Sequence, residues 1–477
     1  MLRRTRSSCI AAFDCHPSMS WPFNTPGAPA REPAKTAPSL VERTTASNGV
    51  TIVSHDLNDP VSLVGFYNKH AGAKFDPRSK PGLNFVMRCS LMQSNMDDSA
   101  FQFDKLVRSA GGSFEHQEIR KKYLGWKLEV QRDAYKPIFN FMCNGIAVPR
   151  FQSVEIDRYR DTMDNIYEEL RFKTPRQYCV ERLEQISFYK EPLGQSRYVL
   201  PSSNDHCSPE GLLNHYSAIF DPENVILVGL NVNHRELVNA FEASSYKLSK
   251  SAPHFQAADV SVERAYINSV AKGEAREKTQ YIEQSESIEL EKRSREMTTN
   301  PLFIDETIFA IGWCTNGASG IAKYAATLVA LQYLDIALGT ATHQRDGREE
   351  DIQTFYVPYQ TAGMMGMTAR VHPEKARDAQ NRVLKTMETA SALTSAHESA
   401  VQRAMLRFHH DHLELRRDYA DFLATSDESA APADVMKALQ GVKPRDVMKV
   451  FDGCRSRRPS QFATGTHSTL TSLRKLL

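Results

Sequence analysis

From residue 49 the chain sets short apolar runs between turn formers and then changes to helical spacing. Residues 49–55 and 61–67 predict two strands joined at Asn58, Asp59 and Pro60, with a helix over 81–96 behind them. Ala110, Gly111 and Gly112 break the pattern ahead of a predicted hairpin, 114–118 with 123–130. Helices are predicted over 134–146, 154–170 and 174–189. A further helix opens at Ser208 and Pro209 and leads into 224–232, whose centre of Val225, Ile226, Leu227 and Val228 predicts a buried strand. Strands and helices mixed in this order predict one α+β domain of about 200 residues.

The second half repeats the order. Gly125, Trp126 and Val130, followed by a helix, match Gly366, Met367 and Val371, again followed by a helix over 374–387. Pro209 to Tyr216, a helix before a last strand, matches Pro444 to Phe451 before 461–465. Self-similarity of this kind sets the architecture before local detail does, and it predicts a tandem duplication. The stretch 247–299 is polar and charged and predicts a linker between the halves. The expected division is 1–35 for a leader and linker, 36–250 for the first domain, 251–285 for the connection and 286–477 for the second domain.

Composition narrows the function. Fifty-nine Lys and Arg against 57 Asp and Glu leave a net charge of +2, too balanced for a chain that binds nucleic acid by neutralising phosphates. No run of 18 apolar residues occurs; the nearest, 324–334, contains Gln332. The eight cysteines lie far apart without a Cys-x-x-Cys pair, which predicts buried thiols in a reducing compartment. Arg3, Arg4 and Arg6, with serines and the single acid Asp14, have the composition of an organellar import sequence, or equally of a basic tail.

Lys173 to Tyr189, with Pro175, Glu181 and Leu183, resembles the Asn-Pro-x-x-x-x-x-Glu-x-Leu-His-x-x-x-Tyr helix of the pitrilysin-like (M16) superfamily, and Pro192, Leu193 and Gly194 continue it. The strand after His215 and the carboxy-terminal 462–477 are similar to the same family. The resemblance implies α+β architecture: two tandem homologous M16-type domains, each an antiparallel-rich mixed sheet with helices packed on it.

Active members of that family carry His-x-x-Glu-His on the first helix, where two imidazoles hold zinc and the Glu activates its water. None of the fifteen histidines here begins that motif. Aligning Gly82 puts Phe85 and Cys89 at the imidazole places and Arg88 at the general base, and a guanidinium repels a dication and keeps its proton. A downstream carboxylate ligand would fall among Asp161, Asp164, Glu168 and Glu169, which without imidazoles read as a solvated helix face. Phe85 and Met87 read as core. The glycine-rich loop by which a processing-peptidase α subunit is thought to hold precursors is reduced to Gly339 and Gly347 within 338–348.

His409, His410, His412 and Glu414 form the one dense His cluster, in a stretch expected to be helical over 404–422; neighbouring arginines favour a solvated face over a metal site. Arg455, Arg457 and Arg458 read as a solvated basic loop. The resemblance therefore implies a catalytically silent chain without metal or cofactor, a core 2-like subunit of the cytochrome bc1 complex. It would be peripheral on the matrix side of the mitochondrial inner membrane, beside a core 1 or processing peptidase β-like subunit and the cytochrome b, cytochrome c1 and Rieske subunits. The alternative is the α subunit of the mitochondrial processing peptidase.

Overall fold

The first sheet is built from β1 (Glu42–Thr45), β2 (Thr51–His55), β3 (Val61–Asn68), β4 (Ser113–His116), β5 (Leu124–Gln131) and β6 (Val225–Leu230), in the order β1-β2-β6-β3-β5-β4. The computed structural model describes residues 40–77, 79–95, 98–116, 120–132, 134–198, 207–244, 260–273, 285–288, 306–317, 320–341, 351–359, 362–392, 394–425, 431–466, 469–471 and 473. Residues 40–477 form one compact unit, and the expected leader lies outside the described residues. The second sheet holds β7 (Ser285–Ile288), β8 (Thr307–Asn316), β9 (Asp351–Pro358), β10 (Ala362–Val371) and β11 (Ser460–Gly465), in the order β7-β11-β8-β10-β9.

Leaving β1 aside, the two sheets have the same strand order and the same senses. β2 runs parallel to β6 as β7 does to β11, and the other neighbours are antiparallel. The register agrees as well. Phe66 stands beside Trp126 and Leu227, as Ile311 stands beside Met367 and Gln461. Gly125, Trp126 and Val130 thus hold the places of Gly366, Met367 and Val371, as the internal repeat predicted. Gly366 is needed for close approach: a Cβ there would lie 2.1 Å from Ile311 O.

The described helices are α1 (Leu83–Ser90), α2 (Ala100–Ser109), α3 (Tyr135–Ala147), α4 (Ser153–Phe172), α5 (Pro175–Ser187), α6 (Pro209–Ile219), α7 (His234–Ala243), α8 (Ser261–Gly273), α9 (Ile321–Ala341), α10 (Ala376–Thr389), α11 (His397–His409), α12 (Arg416–Thr425), α13 (Pro432–Gly441) and α14 (Pro444–Arg455). The first core joins Ile52, Phe66 and Trp126 of the sheet to Val86 of α1, Phe139 of α3 and Leu212 of α6. The second gathers around α9. That helix is long and apolar enough by length and composition to cross a membrane, yet Val329, Ala330 and Leu334 are fully buried against neighbouring helices.

Each sheet is covered on its other face by a helix from the opposite half. On the second sheet, α5 packs Tyr178, Cys179, Leu183 and Ile186 against Ile308, Ala310, Met364 and Phe462. On the first, α12 packs Tyr419, Ala420, Leu423 and Ala424 against Val53, Leu63, Ile226 and Val228.

Four details differ from the sequence pattern. α1 ends at Ser90 rather than near 96, and beyond it the Asn95 side chain accepts from Asp98 N at 2.6 Å. α2 follows, opened by a capping box of Ser99 and Gln102. Part of the expected connection, 251–285, is α8, which buries Ile267 and Val270 in the first core. The helix expected over 404–422 is broken: α11 gives way to a π turn, His410–Glu414, and Leu415 is extended before α12 crosses to the first sheet.

Candidate functional site

Gly82 enters α1 at φ +89, a left-handed conformation that glycine takes freely, so no side chain of its own caps the helix. Asp76 does so from upstream: Gly82 N donates to its Oδ2 and Asn84 N to its Oδ1, both at 2.9 Å. Asn84 Nδ2 donates to Gly72 O at 3.0 Å, and its Oδ1 accepts from His215 Nε2 at 3.1 Å. Burial pushes the Asp76 carboxyl up to about 7 against those two backbone bonds; burial, with Lys80, pushes His215 down to about 3. This cluster fixes the start of the helix on which family members place their zinc ligands.

Phe85, Arg88 and Cys89, the expected counterparts of the family motif, follow on α1. Phe85 is buried, as is Met87, and the Phe85 ring lies 6.1 Å from that of Tyr198. The Arg88 guanidinium stands 5.0 Å from the centre of the Phe85 ring, and its Nη2 is 3.6 Å from Cys89 Sγ. Burial raises the Cys89 thiol, with Arg88 opposing, so it stays protonated at neutral pH. Trp126 Nε1 donates to Arg88 O at 3.0 Å and pins the end of α1 to β5. On α4, Glu168 and Glu169 are exposed, Glu169 pairing with Lys173; the side chains of Asp161 and Asp164 lie outside the described residues.

The His cluster divides between two environments. His409 and His410 point to solvent, with His410 Nε2 3.7 Å from Glu414. A hydrogen bond to Asp411, with Glu414 nearby, raises the His410 pKa. His412 is half-buried between the Phe408 and Phe422 rings, and burial lowers it. Among the described residues no group of three or more His, Cys, Asp or Glu is arranged to hold a metal ion. Two members of the basic loop are absorbed structurally: Arg455 donates to Glu388 O at 3.0 Å, and Arg457 to Cys314 Sγ at 2.9 Å. Gly339 belongs to the last turn of α9 in open space, and Gly347 lies outside the described residues.

Sequence reading missed a buried ionic cluster between the halves. Glu181 and Glu184 of α5 face Lys121, at 3.6 and 3.5 Å, and Arg197. Arg197 N donates to Glu181 Oε1 at 2.8 Å and Nη2 to Glu184 Oε1 at 2.9 Å. The signal was two acids three apart among Tyr178, Leu183 and Ile186, within the apolar face of one helix.

No family model matches the chain. Human (Homo sapiens) "Cytochrome b-c1 complex subunit 2, mitochondrial" is 24% identical over 215 residues, 45% of this chain and 46% of its own length. "Mitochondrial-processing peptidase subunit alpha-2" of Dictyostelium discoideum is 25% identical over 218 residues, 45% of this chain and 47% of its own. A probable processing peptidase subunit alpha-1 of Arabidopsis thaliana is 20% identical over 219 residues, 46% and 43%. In structure the chain is similar to a protease from Helicobacter pylori, with a TM-score of 0.70, 14% identity, and coverage of 89% of this chain and 99% of that one.

The chain is M16-like. It spans less than half the length of the curated relatives it matches. Phe85, Arg88 and Cys89, the residues expected from the alignment at Gly82 to correspond to the family's motif, all lie on α1.

Proposed function

We propose that this M16-like chain is a non-catalytic, core 2-like subunit of the mitochondrial ubiquinol–cytochrome c reductase, a scaffold peripheral to the inner membrane on the matrix side. The observation that carries the reading is the surface of α1: Phe85, Arg88 and Cys89 replace the two metal-binding imidazoles and the water-activating carboxylate. The similarity to the human bc1 subunit supports the choice of complex. Its work is then structural, with 36–250 and 286–477 as the two M16-type domains. It would dock on a core 1 or processing peptidase β-like subunit and, through that assembly, on the cytochrome b, cytochrome c1 and Rieske subunits.

The similarity to two processing peptidase α subunits favours a second reading, a non-catalytic α subunit that binds precursor presequences. Native separation after mild detergent extraction of mitochondria distinguishes the two. The core reading expects the bulk of the chain to co-migrate with cytochromes b and c1 and to be released by alkaline carbonate. A soluble chain with one zinc-bearing partner, cross-linking to presequence peptides, would replace it with the α-subunit reading.

The purified chain should bind no stoichiometric zinc and cleave no presequence peptide. One tightly bound zinc, lost in His410→Ala, would overturn this. Combining Phe85→His, Arg88→Glu and Cys89→His is expected to leave it inactive, because imidazoles need partners that orient them and α1 was not built with any.

A further inference from the structure

The two cross-docked helices are held by different physics. α5 sits on an apolar contact that also takes in Leu170 and Phe188; its Glu181 and Glu184 pairs with Lys121 and Arg197 of the same half are enclosed, and one ion pair reaches the second sheet, Arg176 with Asp351, side chains 20% and 52% exposed. α12 brings four apolar residues to the first sheet, Tyr419, Ala420, Leu423 and Ala424. Around them is a rim of half-exposed ion pairs. Arg416 reaches Asp59 and, at 3.8 Å, Glu129; Arg417 reaches Glu115 and, at 2.8 Å, Glu129; these side chains are 20–41% exposed. Only one ionic contact is sheltered, Asp421 with Lys127 at 3.1 Å and the Tyr67 hydroxyl at 2.8 Å. His55 Nδ1 lies 2.6 Å from Tyr419 OH, and Arg417 Nη2 donates to Ser113 Oγ at 3.1 Å. Along the chain the helix is separated from α11 by the π turn and the extended Leu415, with the Phe422 ring 5.6 Å from Phe408 of α11 as the contact between them.

We propose that α12 is a salt-released latch: ionic strength loosens it from the first sheet while α5 stays on the second. Exposed pairs are screened by salt, and α12 meets its sheet through four such contacts where α5 has the one, Arg176 with Asp351, so the same change of medium acts more strongly on α12. Release uncovers the face of β2, β3 and β6 carrying Val53, Leu63, Ile226 and Val228, and leaves the α5 contact in place.

Amide hydrogen exchange of the full chain tests this, from about 0.01 M to about 1 M sodium chloride, over which the screening length falls from about 30 Å to about 3 Å. Amides of 419–425 should exchange about tenfold faster at the high-salt end, with amides of 178–187 unchanged. The double variant Arg416→Gln, Arg417→Gln should exchange fast in this segment at low salt and lose the salt dependence. Equal protection of α12 at both salt levels in the wild-type chain overturns the latch, and so does an equal loosening of α5. The wild-type series decides the matter by itself if the variant does not fold.

Discussion

Replacing Arg197 with methionine is expected to destabilise the chain by about 3–5 kcal/mol, the usual cost of removing one partner from a buried ion pair. The variant leaves Glu181 and Glu184 enclosed with Lys121 alone, at 3.6 and 3.5 Å, so one negative charge stays uncompensated inside the contact between the halves. Urea unfolding followed by far-UV circular dichroism measures the loss, and a shift below about 1 kcal/mol would mean that the cluster is effectively solvated. A second variant separates charge from packing: changing Lys121 and Arg197 to Met and Glu181 and Glu184 to Leu should recover much of the loss, since apolar residues of like volume often replace a buried ionic group at little cost.

The same carboxylate gives a pH signature. Burial alone would raise Glu181, but Arg197 and Lys121 outweigh it and bring the carboxyl down from an ordinary 4.5 to about 2. A depressed folded-state pKa means that the stability from this group is complete above 4.5 and is lost as pH falls towards 2. Arg197→Met removes the main cause of that depression and moves the folded-state pKa of Glu181 back up, so the loss of stability between pH 4.5 and 2 should be smaller in the variant than in the wild-type chain.

The repeat was legible because β5 and β10 sit at the same place in two sheets, where each carries a glycine followed by a large apolar residue buried in the core. Gly125 with Trp126 and Gly366 with Met367 are those pairs. The cross-docking of α5 and α12 was hidden, because an apolar stripe tells that a helix is buried and never against which sheet. α8 was hidden for a related reason: its few buried positions, Ile267 and Val270, lie among charged neighbours that dominate the local composition. At the candidate site, Phe85, Arg88 and Cys89 could be placed by counting from Gly82. Asp76, Asn84 and His215 could not, since nothing local marks the contact between α1 and His215 of α6.

Trp126→Ala is expected to cost about 3–5 kcal/mol, as removal of large core aromatics does. The ring is fully buried beneath α1, paired in register with Phe66, and 6.1 Å from the Phe220 ring. Two losses combine in that variant, and Trp126→Phe divides them. Phenylalanine keeps most of the packing and removes only the donor to Arg88 O, so it should cost about 1–3 kcal/mol, the weight of a carbonyl left unpaired. The difference between the variants then measures how much of the hold on α1 is packing and how much is the one hydrogen bond that fixes its final turn. Were Trp126→Phe as damaging as Trp126→Ala, the hydrogen bond would be the main restraint, and the degenerate motif positions would owe their placement to a backbone contact rather than to the core beneath them.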